Sequence, residues 1–358
     1  MTASEHPAYG RGSEVTAADG HRVGGQPIGR LRWVVHLLPP VLILASLFVG
    51  RYPLSVQQVV GALADLLSGH ASQSTPEAFA LVVSVRLPRA IAAAAVGAAL
   101  AASGAAYQSI FRNPLTDSSL LGVSNGAGFG AAFALVFLGG SWRVYVAAFA
   151  FGLLAVALTY MVANVYRSTP TIMLILGGVI VSSVFSALLS LMKLTADPES
   201  ELPSIVYWLM GSLSSAGWES LWALIPMLVG TVALIALSWR IDAMSMGDRE
   251  ARTMGIDVRR EKAVVILGAT LATAAAICIS GVVGWVGLVI PHISRMLAGN
   301  QNSTLIPVSV SVGAAFMLLI DAASRSLWPS EVPLGILTAL IGAPFFVYLL
   351  KRTKGGSW

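Results

Sequence analysis

A single cysteine, Cys278, stands in a chain of 358 residues, which excludes an internal disulfide and argues against a thiolate metal site. Charge is scarce as well: Lys, Arg, Asp and Glu make up 11% of the sequence, against roughly 25% in a soluble domain. The five histidines (His6, His21, His36, His70, His292) are scattered, and no two share metal-ligand spacing. No Gly-x-x-x-x-Gly-Lys-Ser/Thr phosphate loop occurs, so ATP is not bound here in that way, and no His-Glu-x-x-His pair occurs either. The reading is of a chain with no cofactor, no metal and no catalytic residue of its own. Acids are also missing from the middles of the apolar stretches, where a proton- or sodium-driven carrier usually places them.

What is present is apolar sequence. Hydrophobic residues make up 56% of the chain, and the mean hydropathy is +0.78. A surface this apolar takes lipid as its solvent. A spanning helix needs about 20 apolar residues, and such windows fall near 31–50, 90–111, 120–138, 142–165, 171–193, 218–239, 263–282, 284–298, 305–322 and 333–350. The sequence thus predicts an all-α polytopic membrane protein of about ten transmembrane helices. The pair 263–282 and 284–298 also reads as one long element bent at its glycines. Pro39 and Pro40 predict a kink in the first window. Residues 1–29, polar and rich in Gly, Ser and Ala, read as a disordered cytoplasmic tail, and 30–354 as the transmembrane domain.

The net charge of +5 does not point to nucleic acid once it is placed on this topology. With the N-terminus inside and ten spans, inner segments hold fourteen Lys and Arg and outer segments six, leaving aside Arg11 and Arg22 of the tail. That asymmetry predicts both termini on the cytoplasmic side. The outer loop 51–85 is expected to carry a short surface helix. The inner segment 240–262 is dense in both charge signs around Ala251, Met254 and Ile256. It reads either as a solvated connector or as a docking element for a cytosolic partner.

Four features stand out against this background. Gly122, Gly126 and Gly130 are spaced for one helical face, where they would let backbones pack closely, while neighbouring Ser124 and Asn125 would alternatively face a polar pathway. Arg86 and Arg89 flank Leu-Pro before the second window, either as lipid-phosphate anchors or as forks for acids on an external protein. Asp321 and Arg325 stand four apart, a spacing that lets them pair. Gly287 and Pro291, in the run from Gly281 to Arg295, mark packing, bending or a pathway.

Six motifs then occur in order: Arg86-Leu-Pro-Arg89, Asn113-Pro-Leu-Thr-Asp117, Leu121-Gly-Val-Ser-Asn-Gly-Ala127, Trp208-Leu-Met-Gly-Ser212, Gly287-Leu-Val-Ile-Pro-His-Ile-Ser-Arg295 and Leu334-Gly-Ile-Leu-Thr-Ala-Leu-Ile-Gly-Ala-Pro344. Together they resemble the FecCD-type permease subunits of bacterial ATP-binding-cassette (ABC) importers for iron chelates (siderophore or haem) and cobalamin, over about residues 31–352. The resemblance implies the type II ABC importer permease fold in the bacterial inner membrane. It implies a homodimer embedded in membrane lipid, two cytosolic ABC ATPase subunits and a periplasmic substrate-binding protein. It gives Arg86, Arg89 and Arg325 the role of meeting acids on the binding protein. It makes Asp248–Val258 the ATPase coupling segment, with Asp248, Ala251, Met254, Gly255 and Ile256 in it. After Asn113-Pro-Leu the family has Ala, an acid and Pro, whereas this chain has Thr116, Asp117 and Ser118. Met192, Trp208 and Met210, near the outer end, invite a haem reading, with a ferric siderophore the leading cargo and cobalamin third.

Overall fold

The computed structural model describes residues 28–69, 74–140, 142–164 and 171–352, and no strand occurs among them. The expectation for the tail lies outside the described residues as far as position 27. In chain order the helices are α1 (Ile28–Ser46), α2 (Val56–Ser68), α3 (Pro76–Phe79), α4 (Leu87–Ile110), α5 (Val123–Phe137), α6 (Trp142–Ala163), α7 (Thr171–Thr195) and α8 (Glu201–Met210). There follow α9 (Leu224–Ala236), α10 (Ser238–Met246), α11 (Asp248–Thr253), α12 (Val258–Ser280), α13 (Val286–Ala298), α14 (Asn302–Ser326) and α15 (Leu334–Arg352). A π-helical stretch, Ala80–Arg86, joins α3 to α4, and a 3₁₀ turn, Trp218–Ala223, leads into α9.

Six of these helical runs are long and apolar enough to cross a membrane: Pro76–Ile110, Trp142–Ala163, Thr171–Thr195, Trp218–Ala236, Val258–Ser280 and Asn302–Ser326. Shorter apolar helices lie at Trp33–Ser46, Val56–Ser68, Val123–Phe137, Val286–Ala298 and Leu334–Tyr348. Every window read from the sequence coincides with one of these, and α2 occupies the place expected of the outer surface helix. Its start is fixed by a capping box, in which Ser55 and Gln58 each bond the other's backbone N–H.

Two features differ from expectation. The second span begins at Pro76 and runs unbroken through α3, the π stretch and α4. Arg86 and Arg89 therefore lie inside a helix, not ahead of one. The 263–298 region forms two helices, as its separate windows predicted, and not the alternative bent element, since α12 stops at Gly281 (φ +66°) and α13 starts only after Trp285 (φ +72°). Gly122 is not on a helical face with Gly126 and Gly130. It is the left-handed residue (φ +88°) that precedes α5, a conformation that glycine adopts without steric cost. Pro39 and Pro40 both sit within α1, which continues through them.

The core is organised around α4. Its Ala-rich sequence is buried on nearly every side, and α12 and α14 are the most buried of the other long helices. Lipid offers no hydrophobic drive for one helix to prefer another, so close backbone approach through small residues does that work. Gly97 on α4 lies against the Gly313 backbone of α14, and a Cβ at either glycine would overlap the other's carbonyl. The overlap is one-sided in two further pairs: a Cβ on Gly104 would strike the Gly287 carbonyl, and one on Gly230 of α9 would strike the Gly268 carbonyl of α12. Gly313→Val should force α14 off α4 and cost about 1–3 kcal/mol or more by overpacking. A thermal midpoint equal to the parent's in detergent would show that the contact is slack. A second cluster joins α5, α6, α7 and α8 through Phe129, Phe151 and Phe185, with the Phe129 and Phe151 rings edge to face at 5.0 Å.

Candidate functional site: a broken-helix junction with ionic and apolar ends

The arginines of the outer motif are satisfied within the chain. Arg86, Arg89 and Arg325 are only 3, 5 and 6% exposed. Arg86 donates from Nη1 to the Leu47 carbonyl (2.6 Å) and from Nη2 to the Tyr52 carbonyl (2.5 Å). Arg325 donates from Nη1 to the Val49 carbonyl (3.1 Å). Two guanidiniums thus hold the segment that follows α1, next to the helix's carbonyl end, where positive charge is favoured. Gly50 leaves room for them, since a Cβ there would stand 3.0 Å from Arg86 Nη2. Arg89 is the centre of a larger network. Its Nε meets Asp321 Oδ1 at 2.8 Å, and its fork takes both oxygens of Glu331 at 2.9 and 3.0 Å. Asp321 Oδ2 pairs with Arg325 Nε at 3.1 Å, the four-residue pairing that the spacing predicted. The three arginines that the resemblance has meeting acids on the binding protein are thus buried and paired within this chain. They brace α1, α4, α14 and the following loop, and Glu331, the most exposed member, had no signal in the sequence beyond being an acid near Asp321.

Below this network three helix ends meet. The backbone N–H of Ser212, just past α8, bonds the Ser280 carbonyl at the end of α12 (2.8 Å), and the N–H of Leu334, opening α15, bonds the Gly211 carbonyl (2.8 Å). Gly211 has φ +79° and Gly281 φ +66°. A Cβ on Gly281 would overlap the Trp208 carbonyl. Helix α13 has 13 residues, about 20 Å at 1.5 Å per residue, too short for a hydrocarbon layer of about 30 Å. With Arg295 in its last turn placed toward a membrane surface, its first turn, after Trp285, would stop inside such a layer. Irregular backbone at such depth persists only where protein buries it or where it lines a cavity. Both apply here. A cleft of about 530 Å³ lies on one side, lined by Tyr145, Ser204, Tyr207, Trp208, Ser212, Ser214 and Gly281 among others, with Glu219 its one charged residue. A second, of about 470 Å³, is lined by Met210, Val282, Trp285, Gly335 and Leu340 among others. Gly281→Ala should strain this junction and lower the yield of folded protein, whereas Gly284, with open space around it, should accept alanine. Equal yields would contradict the crowding seen at Gly281.

Pro291 explains a residue that the sequence reading passed over. Proline has no N–H, so the Gly287 carbonyl four residues earlier has no helical partner. The Gln108 side chain on α4 supplies the donor, with Nε2 at 3.2 Å from the Gly287 carbonyl and 3.3 Å from that of Leu288. Its Oε1 accepts from Arg295. The available signal was a lone glutamine in the alanine-rich α4. Gly287 itself is wedged between α4 and the loop after it, where a Cβ would stand 2.7 Å from Asp117 Oδ1. That loop is held by Asp117, which accepts from the Ser118 and Ser119 hydroxyls, and Ser118 stands where the family pattern has proline. Gln108→Leu leaves a buried carbonyl unpaired and should cost about 1–3 kcal/mol. An unchanged unfolding midpoint would show that the carbonyl has another donor.

The remaining small-residue and sulfur positions fall into packing roles. Gly126 and Gly130 admit the backbone of α6 at Phe151 and Ala147. Ser124 is half-buried in the first turn of α5, and Asn125 donates to the Ser182 carbonyl on α7 at 3.4 Å. Residues 122–126 spell Gly-Val-Ser-Asn-Gly, a nucleophile-elbow pattern, but that elbow needs a strand-to-helix turn, and no strand exists among the described residues. Met192 is buried in the aromatic cluster, while Met210 is exposed at the second cleft.

At the opposite end, α10 and α11 form a short double helix. Asp248 opens α11 and holds Lys262 Nζ with both oxygens, at 2.8 and 2.9 Å. Its far end is a Schellman motif: Ile256 N–H bonds the Ala251 carbonyl (3.1 Å), Gly255 N–H bonds that of Arg252 (3.0 Å), and Gly255 has φ +80°. Ala251 is fully buried, while Gly255 is exposed and shapes the turn. The apolar atoms exposed on this face belong to Met246 and Met254, 64% and 51% accessible, with Ile256 half-buried beside them.

The fold and these sites define a membrane-embedded helical protein built as a conduit. The chain belongs to the FecCD transport family, whose pattern matches residues 38–352. It is 41% identical over 321 residues to the molybdate import system permease protein of Haemophilus influenzae, covering 89% of this chain and 95% of that one. It is 40% identical to the cobalamin import system permease protein of Halobacterium salinarum, covering 77% and 75%, and 34% identical to the hemin transport system permease protein of Yersinia pestis, covering 76% and 83%. A solved structure of an inward-facing metal-chelate type ABC transporter superposes with a TM-score of 0.80 at 39% identity, over 90% of this chain and 99% of that one. The chain is an ABC importer permease subunit, a translocation component in a family whose members carry different cargoes.

Proposed function

We propose that the chain forms, as a homodimer of ten-span subunits in the bacterial inner membrane with both termini cytoplasmic, the pathway for an iron chelate (ferric siderophore or haem). Two separate cytosolic ATPases hydrolyse ATP beneath it, and a periplasmic binding protein delivers the cargo from outside. The chain does no chemistry on the substrate. The observation that carries this reading is the junction of Gly211, Gly281 and Gly335 beside two clefts, the kind of broken-helix site where transporters hold or pass cargo. The larger cleft offers hydroxyls and aromatic rings but no cationic side chain, as befits weak passage of a bulky chelate. A dimer axis along α7 and α15 is supported by their exposed faces. Ser183, Ser186 and Ser190 stand on one exposed stripe of α7, small residues of the kind that line helix–helix interfaces in lipid.

Molybdate is the second reading, favoured by the 41% identical relative, and cobalamin is the third, favoured by the relative from Halobacterium. Proteoliposomes holding the chain with its ATPase and binding protein, offered ferric siderophore, haem, cobalamin and molybdate in parallel, separate these. Uptake of siderophore or haem alone supports the iron reading, and uptake of molybdate or cobalamin alone replaces it.

A further inference from the structure

The geometry points to a binding site for an anionic phospholipid on the outside of the bundle, at the inner end of α6 and α12. An apolar groove of about 470 Å³ runs between these helices, walled by Val156, Tyr160 and Met161 on one side and Ile266, Leu267 and Thr270 on the other. One end of it is basic. On α12, Arg259 stands four and seven residues before Ala263 and Ile266, and Arg260 seven before Leu267, so helical spacing puts both on the groove side. Asn164 extends the α6 wall in the same register, three and four residues beyond Met161 and Tyr160. Arg259 Nη2 donates to Asn164 Oδ1 at 2.9 Å and clasps the two helices at the groove mouth. Both arginines are exposed. The nearby carboxylates are engaged elsewhere: Asp257 accepts the N–H groups of Arg259 and Arg260 as the α12 cap, and Glu261 pairs with Arg240 at 2.5 Å.

The occupant follows from the two halves. An acyl chain fits an apolar furrow between spanning helices, and a phosphate fits paired guanidiniums at its cytoplasmic mouth. Placing that mouth at the cytoplasmic surface rests on the orientation proposed above. Lysine would hold a phosphate as a point charge, whereas arginine's planar fork can take two of its oxygens.

Native mass spectrometry of the purified full-length chain, equilibrated with equal amounts of phosphatidylglycerol and phosphatidylcholine of matched acyl chains, tests this without any transport step. The parent should retain phosphatidylglycerol at least several-fold over phosphatidylcholine. R259Q/R260Q should lose most of that preference while keeping its unfolding midpoint, and A263W, which fills the groove, should lose retention of both lipids. Equal retention of the two lipids by the parent overturns the site. So does a double variant that keeps the parent's preference, and if that variant also loses association with the ATPase, the two arginines belong to that partner. Failure of the iron-chelate reading would leave all three measurements unchanged, so the two are separable.

Discussion

Asp321→Ala should lower the unfolding free energy of the detergent-solubilised protein by about 3–5 kcal/mol, the usual cost of removing one partner from a buried ion pair. The side chain is 1% exposed and stands between two guanidiniums that are themselves buried, Arg89 at 2.8 Å and Arg325 at 3.1 Å. Arg89 would keep Glu331. Arg325 would keep only carbonyl acceptors, at position 321 and near the end of α1, and its buried charge would lose its one direct ion-pair partner. Glu331→Gln should cost far less, because that carboxylate is partly in solvent and Arg89 would keep Asp321. The asymmetry between the two variants is the informative result. If the arginines were instead held free for an external protein, both substitutions would leave the unfolding midpoint unchanged and weaken only docking.

Met254→Asp should abolish ATP-driven uptake, by tenfold or more, while leaving the protein folded. Met254 sits at the end of α11 with half its surface in solvent and no structural hydrogen bond from its side chain. A carboxylate there meets water in the free subunit and an apolar groove in the proposed ATPase complex, where an unpaired charge costs several kcal/mol. ATP turnover should then proceed without transport. Ala251→Asp serves as the contrast: Ala251 is fully buried, so that variant should fail to fold rather than uncouple. Unchanged uptake in Met254→Asp would remove α11 as the coupling element.

These contrasts show how far the sequence could be read. Helix positions were legible because long apolar runs in lipid admit little besides helices, and all ten windows fall on helices. The glycines at 281 and 287 and the proline at 291 marked the break between α12 and α13, though whether it was a bend or an ending depended on the left-handed turns at Gly281 and Trp285. Internal pairing was the weak point. Arg86 and Arg89 look like boundary residues because their partners, Leu47, Tyr52, Asp321 and Glu331, are distant in sequence. Gln108 was silent for the same reason, since its purpose is set by a proline 183 positions away on another helix. At α11 the composition pointed to the right segment, but only the Schellman turn separates the buried Ala251 and turn-forming Gly255 from the exposed Met254.

The central claim, that this chain passes its cargo under the control of ATP hydrolysed by a partner, is tested most directly by energising reconstituted vesicles in two ways. ATP supplied to the ATPase side, with an ionophore collapsing any ion gradient, should sustain uptake from the loaded binding protein. An imposed proton or sodium gradient without ATP should give none. Uptake that persists without ATP and stops when the gradient is collapsed would contradict the claim and make the chain a secondary carrier.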